Sequence, residues 1–226
     1  MLRPRKRITK REIKEDALVT AYFRVQKFIR KYNRQLNIGF VIVVLIGVVS
    51  VLMVRSKKKA ELAAAGKLGI AEQFYYAPDH GRAIDELIQI VNTYSGTNAA
   101  GKAAFFLANV YFATEDYGNA ERYYRMYLDD YSNSTLFSAS SLAGIAACLE
   151  SQNRYAEAAR LYEKAGGKYP DFFEAPFFLK DAGRCYGMAG NREKSKEMYQ
   201  YIIERYPESS LRHEVAFLSE SLELVE

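Results

Sequence analysis

Histidine and cysteine are scarce in this 226-residue sequence: His80 and His213 are the only histidines, Cys148 and Cys185 the only cysteines. Zinc and related metal sets need several such ligands at close spacing, and no CxxC occurs, so no metal ligands are expected. No glycine-rich phosphate loop follows a strand pattern, which removes the common nucleotide folds. The expectation is a protein with no catalytic residues, no metal and no cofactor, not an enzyme. A lipid-modified exported protein would need a cysteine directly after its apolar stretch, and the first cysteine here is Cys148. Cys148 and Cys185 fall at equivalent places in successive repeats, commonly too far apart for a disulfide, and are read as reduced, packed thiols. Proline is missing between Arg5 and Ala77, so one helix can run through that whole region.

What is present is unevenly placed. Residues 1–37 carry 12 Lys/Arg against 3 Asp/Glu, net +9; residues 55–59 add +4; residues 60–226 carry 16 against 24, net −8. The chain is a basic head on an acidic body, and its 49% hydrophobic content suffices for a core.

Between head and body lies IGFVIVVLIGVVSVLMV, residues 38–54, without a charge. At about 1.5 Å per residue it covers roughly 25 Å, at the short end for a hydrocarbon core of about 30 Å, and snorkelling basic flanks lengthen it. A transmembrane helix is the favoured reading over a buried core helix. A cleaved signal peptide is the sharper rival, because Ala63 and Ala65 form an A-x-A pattern. The intervening Arg55, Lys57, Lys58 and Lys59 and the long basic head argue for an uncleaved anchor. Twelve basic residues before the span and four after it place the N-terminus in the cytoplasm and export the body, although the RSKKK cluster opposes translocation. The expectation is a single-pass membrane protein with a cytoplasmic N-terminus and an extracytoplasmic C-terminal domain.

In the head, Leu18, Tyr22, Val25, Ile29, Tyr32 and Leu36 alternate spacings of four and three, an apolar seam on a predicted helix. Arg24, Lys27, Arg30, Lys31 and Arg34 occupy other faces. Such a helix can lie on an anionic inner leaflet, at about 1 kcal/mol per basic residue near the surface, or pair with a second copy as a homodimer. The membrane surface is the preferred reading. RPRKRITKR also fits phosphate binding, for instance ribosomal RNA beside a membrane pore, but a topogenic flank accounts for it more simply.

Residues 60–226 carry an internal repeat. A small residue is followed four positions later by a large one at Ala83/Leu87, Ala120/Tyr124, Ala158/Tyr162 and Ser195/Tyr199, offset by 37, 38 and 37 residues. Twelve positions earlier stand Ala71, Ala108, Ala146 and Gly183; twelve later stand Ser95, Ser132, Pro170 and Pro207, each preceded by Tyr. Polar breaks at residues 115–119, 151–155 and 189–193 separate two helical patterns, so each unit is helix, turn, helix. Residues 210–226 have apolar positions at Leu211, Val215, Leu218 and Leu222, the pattern of a capping helix.

These positions resemble the tetratricopeptide repeat family, whose 34-residue motif has small residues in both helices and Pro near its end. The extra three or four residues are expected in the links, as in STLFSAS and DFFEAPF, in the manner of bacterial envelope members. The expected fold is all-α: an N-terminal amphipathic helix, a transmembrane helix, a solenoid of about four helix pairs and a capping helix. The corresponding divisions are residues 1–37, 38–54, a connector 55–63, repeats 64–97, 101–134, 139–172 and 176–209, and a cap 210–226. The resemblance implies a concave partner-binding surface on the first helix of each pair: Glu72, Tyr75 and Tyr76; Phe105, Asn109 and Phe112; Ala147 and Glu150; Lys180, Arg184 and Met188. Phe172, Phe173, Phe177 and Phe178 form a separate cluster that can plug the gap between repeats.

Basic head, single span and exported repeats together resemble the ancillary translocon-associated proteins of bacterial inner membranes, the YfgM-like family. That layout implies a non-catalytic subunit beside the protein-conducting channel, with translocon subunits, exported chaperones and emerging chains as partners. A scaffold for wall synthesis, division or outer-membrane assembly is the alternative with the same architecture.

Overall fold

The computed structural model describes residues 10–77 and 79–222, so the expectations for residues 3–9 of the basic cluster and 223–226 of the cap lie outside the described residues. Among the described residues there are nine helices and no strand: α1 (Lys10–Tyr76), α2 (His80–Thr93), α3 (Asn98–Ala113), α4 (Tyr117–Asp130), α5 (Thr135–Ser151), α6 (Tyr155–Lys168), α7 (Ala175–Met188), α8 (Arg192–Arg205) and α9 (Arg212–Ser221). They form two units, Met1–Ser56 and Lys57–Glu226. The first consists of the N-terminal part of α1, and from Val19 onward its side chains are exposed except for half-buried Gln26 and Tyr32.

The second unit is a stack in which each helix packs on the next, from α2 through α9. The last part of α1 meets α2, with Lys67 bonded to Gln89 at 3.1 Å and Arg82 over the Phe74 ring, and the pairs α3/α4, α5/α6 and α7/α8 follow. The repeated small/large pairs explain why. Ala83, Ala120 and Ala158 are fully buried, Ser195 nearly so, and Leu87, Tyr124, Tyr162 and Tyr199 are buried beside them. A small side chain admits the neighbouring backbone, and the large one a turn later fills the space so created. The contact is tightest where rings meet glycine. A Cβ placed on Gly101, Gly144 or Gly183 would press into the ring of Tyr131, Tyr124 or Tyr199, in each case closer than 3.0 Å.

The turns inside the pairs share one construction. The N–H groups of Asp79, Asp116, Arg154 and Asn191 bond back to the carbonyls of Phe74, Tyr111, Leu149 and Tyr186 at 2.8–3.0 Å. At Asp116, Arg154 and Asn191 this is the six-residue closure of a Schellman motif, which requires a left-handed residue just before its last member. Glu115 (φ 61°), Asn153 (φ 61°) and Gly190 (φ 82°) supply it. Asp79, Asp116 and Asn191 then cap the second helix, accepting from the N–H groups of Arg82, Asn119 and Lys194. Arg154 cannot cap with its side chain and pairs instead with Glu157 at 2.7 Å. Because capping starts α4 at Tyr117, the break at 115–119 is shorter than the sequence implies, and Gly118 is helical. The four tyrosines that precede Ser or Pro, Tyr94, Tyr131, Tyr169 and Tyr206, are the C-caps of α2, α4, α6 and α8.

One expectation about the links is corrected. STLFSAS is not a lengthened link: Thr135 already opens α5, which runs for 17 residues. Ser138 and Ser141 are buried in α5, so the added length continues the packed helix instead of looping out. DFFEAPF does lie partly in a link, with α7 starting at Ala175 and Pro176 in its first turn, where the missing N–H leaves no bond unmade.

The glycines divide into two opposed classes. Gly66 and Gly69 are exposed in α1 with nothing near a Cβ position, whereas Gly144 faces the Tyr124 ring. Gly66→Ala and Gly69→Ala should each stabilise the second unit by about 0.8–1 kcal/mol, the difference in helix propensity. Gly144→Ala should destabilise it by roughly 1–3 kcal/mol through overpacking. Thermal unfolding followed by circular dichroism checks both signs.

Candidate protein-interaction surface

The first helices of the pairs place the predicted partner-binding residues at recurring positions. Counting from the buried small residue of each helix, Tyr75, Phe112 and Glu150 stand four places on, and Glu72, Asn109, Ala147 and Arg184 one place on. In two of the three junctions these two positions are bonded across the repeat boundary. Asn109 donates to the Tyr75 hydroxyl at 3.4 Å, and Arg184 makes a two-pronged contact with Glu150, its Nη2 at 3.0 Å from Oε2. In the middle junction the same positions hold Phe112 and Ala147, both half-buried against the core. The row therefore runs polar, apolar, ionic along the stack.

Each bonded pair is extended by a second partner. The Tyr124 hydroxyl donates to Asn109 Oδ1 at 2.6 Å, and the Tyr162 hydroxyl donates to Glu150 Oε2 at 3.3 Å. Both tyrosines are members of the small/large pairs, so one side chain fills the core and orders the surface. Arg184 also contacts Asp181 at 3.1 Å, and Lys180 reaches Glu214 of α9 at 3.1 Å. Burial opposes the charge on Glu150, but the hydrogen bond and charge of Arg184 outweigh it and hold its carboxyl below the usual range. For Asp181 burial wins, and its carboxyl titrates above the usual range despite Arg184.

The predicted residues thus fall into three groups. Tyr75, Asn109, Glu150, Lys180 and Arg184 are engaged with partners inside the stack. Phe105 is half-buried among the rings of Phe106, Tyr124, Tyr127 and Phe137, with centroids 5.0–6.3 Å away, and holds α3 to its neighbours. Tyr76 and Met188 are open to solvent at 72% and 59%, while Glu72 and Phe112 are half-exposed. Arg24, Lys27, Arg30, Lys31 and Arg34 are exposed on the first unit. Cys148 and Cys185 are free and buried, and burial pushes both thiols up to about 12. Among the described residues no group of His, Cys, Asp and Glu is placed to hold a metal ion.

One feature escapes the sequence reading, and another departs from the plug expected of the Phe172–Phe178 cluster. Glu61 sits before the first repeat, yet its carboxylate accepts from the N–H groups of Asn98 and Ala99 at 2.7 and 3.0 Å, capping α3 alongside Thr97. No local pattern announces it, because its partners are 37 and 38 residues away. The second is an open cleft of about 550 Å³ between the α6–α7 and α8–α9 links, lined by Phe172, Phe173, Phe177, Tyr206 and Pro207 among others. Phe178 is buried as a gap filler, but Phe173 and Phe177 face solvent. None of the predicted concave residues lines this cleft.

Glu150→Gln should lower stability at pH 7 by roughly 1 kcal/mol, by removing the charge that Arg184 faces. Since the Glu150 carboxyl is held low in the folded chain, its contribution is present at neutral pH and disappears as the pH falls through that lowered value. Melting temperatures of the parent and variant, separated at pH 7, should converge in acid.

A family model for a tetratricopeptide repeat-like domain matches residues 26–223. No curated protein matches the sequence. Among solved structures, MamA superposes with a TM-score of 0.55 at 17% identity, covering 68% of this chain and 86% of its own. YrrB, a TPR protein with an unusual peptide-binding site, gives 0.52 at 20% identity, covering 70% and 75%. A Podosopora anserina structure of kinesin light chain nearly identical TPR-like repeats gives 0.52 at 13%, covering 71% and 93%. At these identities the likeness is one of fold.

Proposed function

Because the chain belongs to the tetratricopeptide repeat-like domain family, a protein-interaction scaffold, we propose that it is a membrane-anchored adaptor of protein export. Residues 38–54 span a bacterial cytoplasmic membrane, the basic head stays in the cytoplasm, and the stack of helix pairs works on the far side. There it sits beside the translocon and passes emerging chains to exported chaperones. No catalytic step is assigned to it.

The observation that carries the anchoring is the combination of an uncovered apolar helix with a structural role for the segment after it. The most apolar window of α1 has mean hydropathy 2.8 and none of it is buried, which disfavours the core-helix alternative. Seventeen consecutive uncharged residues left in water would be costly, whereas each Val, Ile or Leu favours the bilayer by about 0.3–0.6 kcal/mol. Cleavage at the A-x-A pattern of residues 63–65 would remove Glu61, which caps α3, and Ala64, which is fully buried in the stack. Retention of the whole helix is the reading that keeps the first helix pair intact.

The binding surface follows from what the stack leaves open. Tyr76, Phe112 and Met188, with Glu72, lie on the first helices beside a row already ordered by its own bonds, so a polypeptide docking there meets preorganised side chains. YrrB is described as having a peptide-binding site, and a peptide ligand is carried to this chain as part of the proposal. Photocrosslinkers at Tyr76 and Met188 in cells should capture translocon subunits, an exported chaperone or an emerging chain, while one at buried Leu107 should capture nothing. Adducts only with outer-membrane, wall-synthesis or division proteins would replace this role by the scaffold alternative. Extraction of the protein by alkaline carbonate would sink the anchor itself.

A further inference from the structure

We propose that the N-terminal helix pairs in parallel with a second copy of this chain through the seam formed by Tyr22, Val25, Ile29, Tyr32 and Leu36. These residues alternate steps of three and four, the spacing that keeps one stripe of a helix facing a partner. Four of them lie open to solvent, Tyr22 at 64%, Val25 at 57%, Ile29 at 48% and Leu36 at 43%, and nothing in the first unit covers them.

Charge placement selects the occupant. With the seam at the two core positions of a heptad, the flanking positions that meet across a parallel pair are Val19, Ala21, Gln26, Phe28, Asn33 and Gln35. None is charged, so two copies meet without like-charge contact. Arg24, Lys27, Arg30, Lys31 and Arg34 all fall on the three outward positions, where repulsion between copies is screened by solvent. Val19 and Phe28, exposed at 53% and 55%, widen the apolar stripe.

The other occupant considered for this face is the anionic inner leaflet, and the helix geometry disfavours it. Residues 19–54 belong to one unbroken helix, so the basic stretch shares its axis with the proposed span. A helix that crosses the bilayer cannot also lie flat beneath it without a break, and here the argument rests on the anchoring proposed above. At about 1.5 Å per residue, only Arg34 and roughly Lys31 stand within a Debye length of about 8–10 Å from residue 38. The remaining three point into solvent. The seam and its uncharged flanks stand without that premise. Two heptads are short for a free coiled coil, but confinement of both copies to one membrane raises their effective concentration.

The test uses the full-length chain in liposomes of phosphatidylcholine alone or with added phosphatidylglycerol. Under mild oxidation, Ile29→Cys should form disulfide-linked dimers about tenfold faster than Lys27→Cys in both mixtures, since seam positions approach within bonding reach and outward positions do not. The parent chain, with Cys148 and Cys185 buried, should form none. Ile29→Lys should run as a monomer by light scattering in detergent while keeping the helix content of the parent. Equal rates at the two positions, no crosslink at either, or a seam shielded only when anionic lipid is present would each overturn the pair. Carbonate extraction of the same samples reads the anchor separately.

Discussion

The stack depends on one contact, a tyrosine or leucine of one helix seated where a neighbouring helix carries no bulky side chain. Tyr124 lies against Gly144 and Tyr199 against Gly183, and the small residues four positions before each large member, three alanines and Ser195, are fully buried or nearly so. Interiors are close-packed, so a single methylene in such a contact is felt across the pair. Dispersion and burial of the ring supply the attraction, and the missing Cβ supplies the distance. Small/large pairs recurring at intervals of 37 and 38 residues build a solenoid in which each helix touches chiefly its sequence neighbours.

The same tyrosines connect core to surface. Tyr124 and Tyr162 end in hydroxyls that donate to Asn109 and Glu150, which in turn bond the adjoining repeat. A ring that is held by packing delivers its hydroxyl to one place, so this row of side chains is ordered by the fold itself. Polar groups at Asn109, Glu150 and Arg184 are thereby committed to joining repeats. Outside those bonds stand exposed Tyr76 and Met188 and half-exposed Phe112, together with the aromatic cleft beside Phe173 and Phe177, and these are the groups open to the proposed partner. This division explains how a surface can look rich in binding groups and offer only some of them.

The repeated turns show how local chemistry enforces the period. Closing bonds of one type recur at four places, with capping acceptors at Asp79, Asp116 and Asn191. Glu115 adopts the left-handed conformation that Asn153 and Gly190 take more readily, because the closure demands it. Where capping fails, at Arg154, an ion pair with Glu157 stands in. The turn is thus tolerant in sequence and strict in geometry.

Much of the fold was legible from residues alone. The spacing of Ala83, Ala120, Ala158 and Ser195, the tyrosines before Ser or Pro, and the uncharged run at 38–54 are local patterns, and helix periodicity converts them directly into faces and lengths. The candidate site was legible only as a list of positions. Whether Glu150 meets Arg184, or Asn109 meets Tyr75, depends on the offset between stacked helices, which brings residues 34 apart within bonding distance. Glu61 is the plainest case: in sequence it is one acid among many beside a basic connector, and it became the cap of α3 only when α1 packed against the second pair. Local spacing determines which face a side chain occupies; packing between helices decides what it finds there.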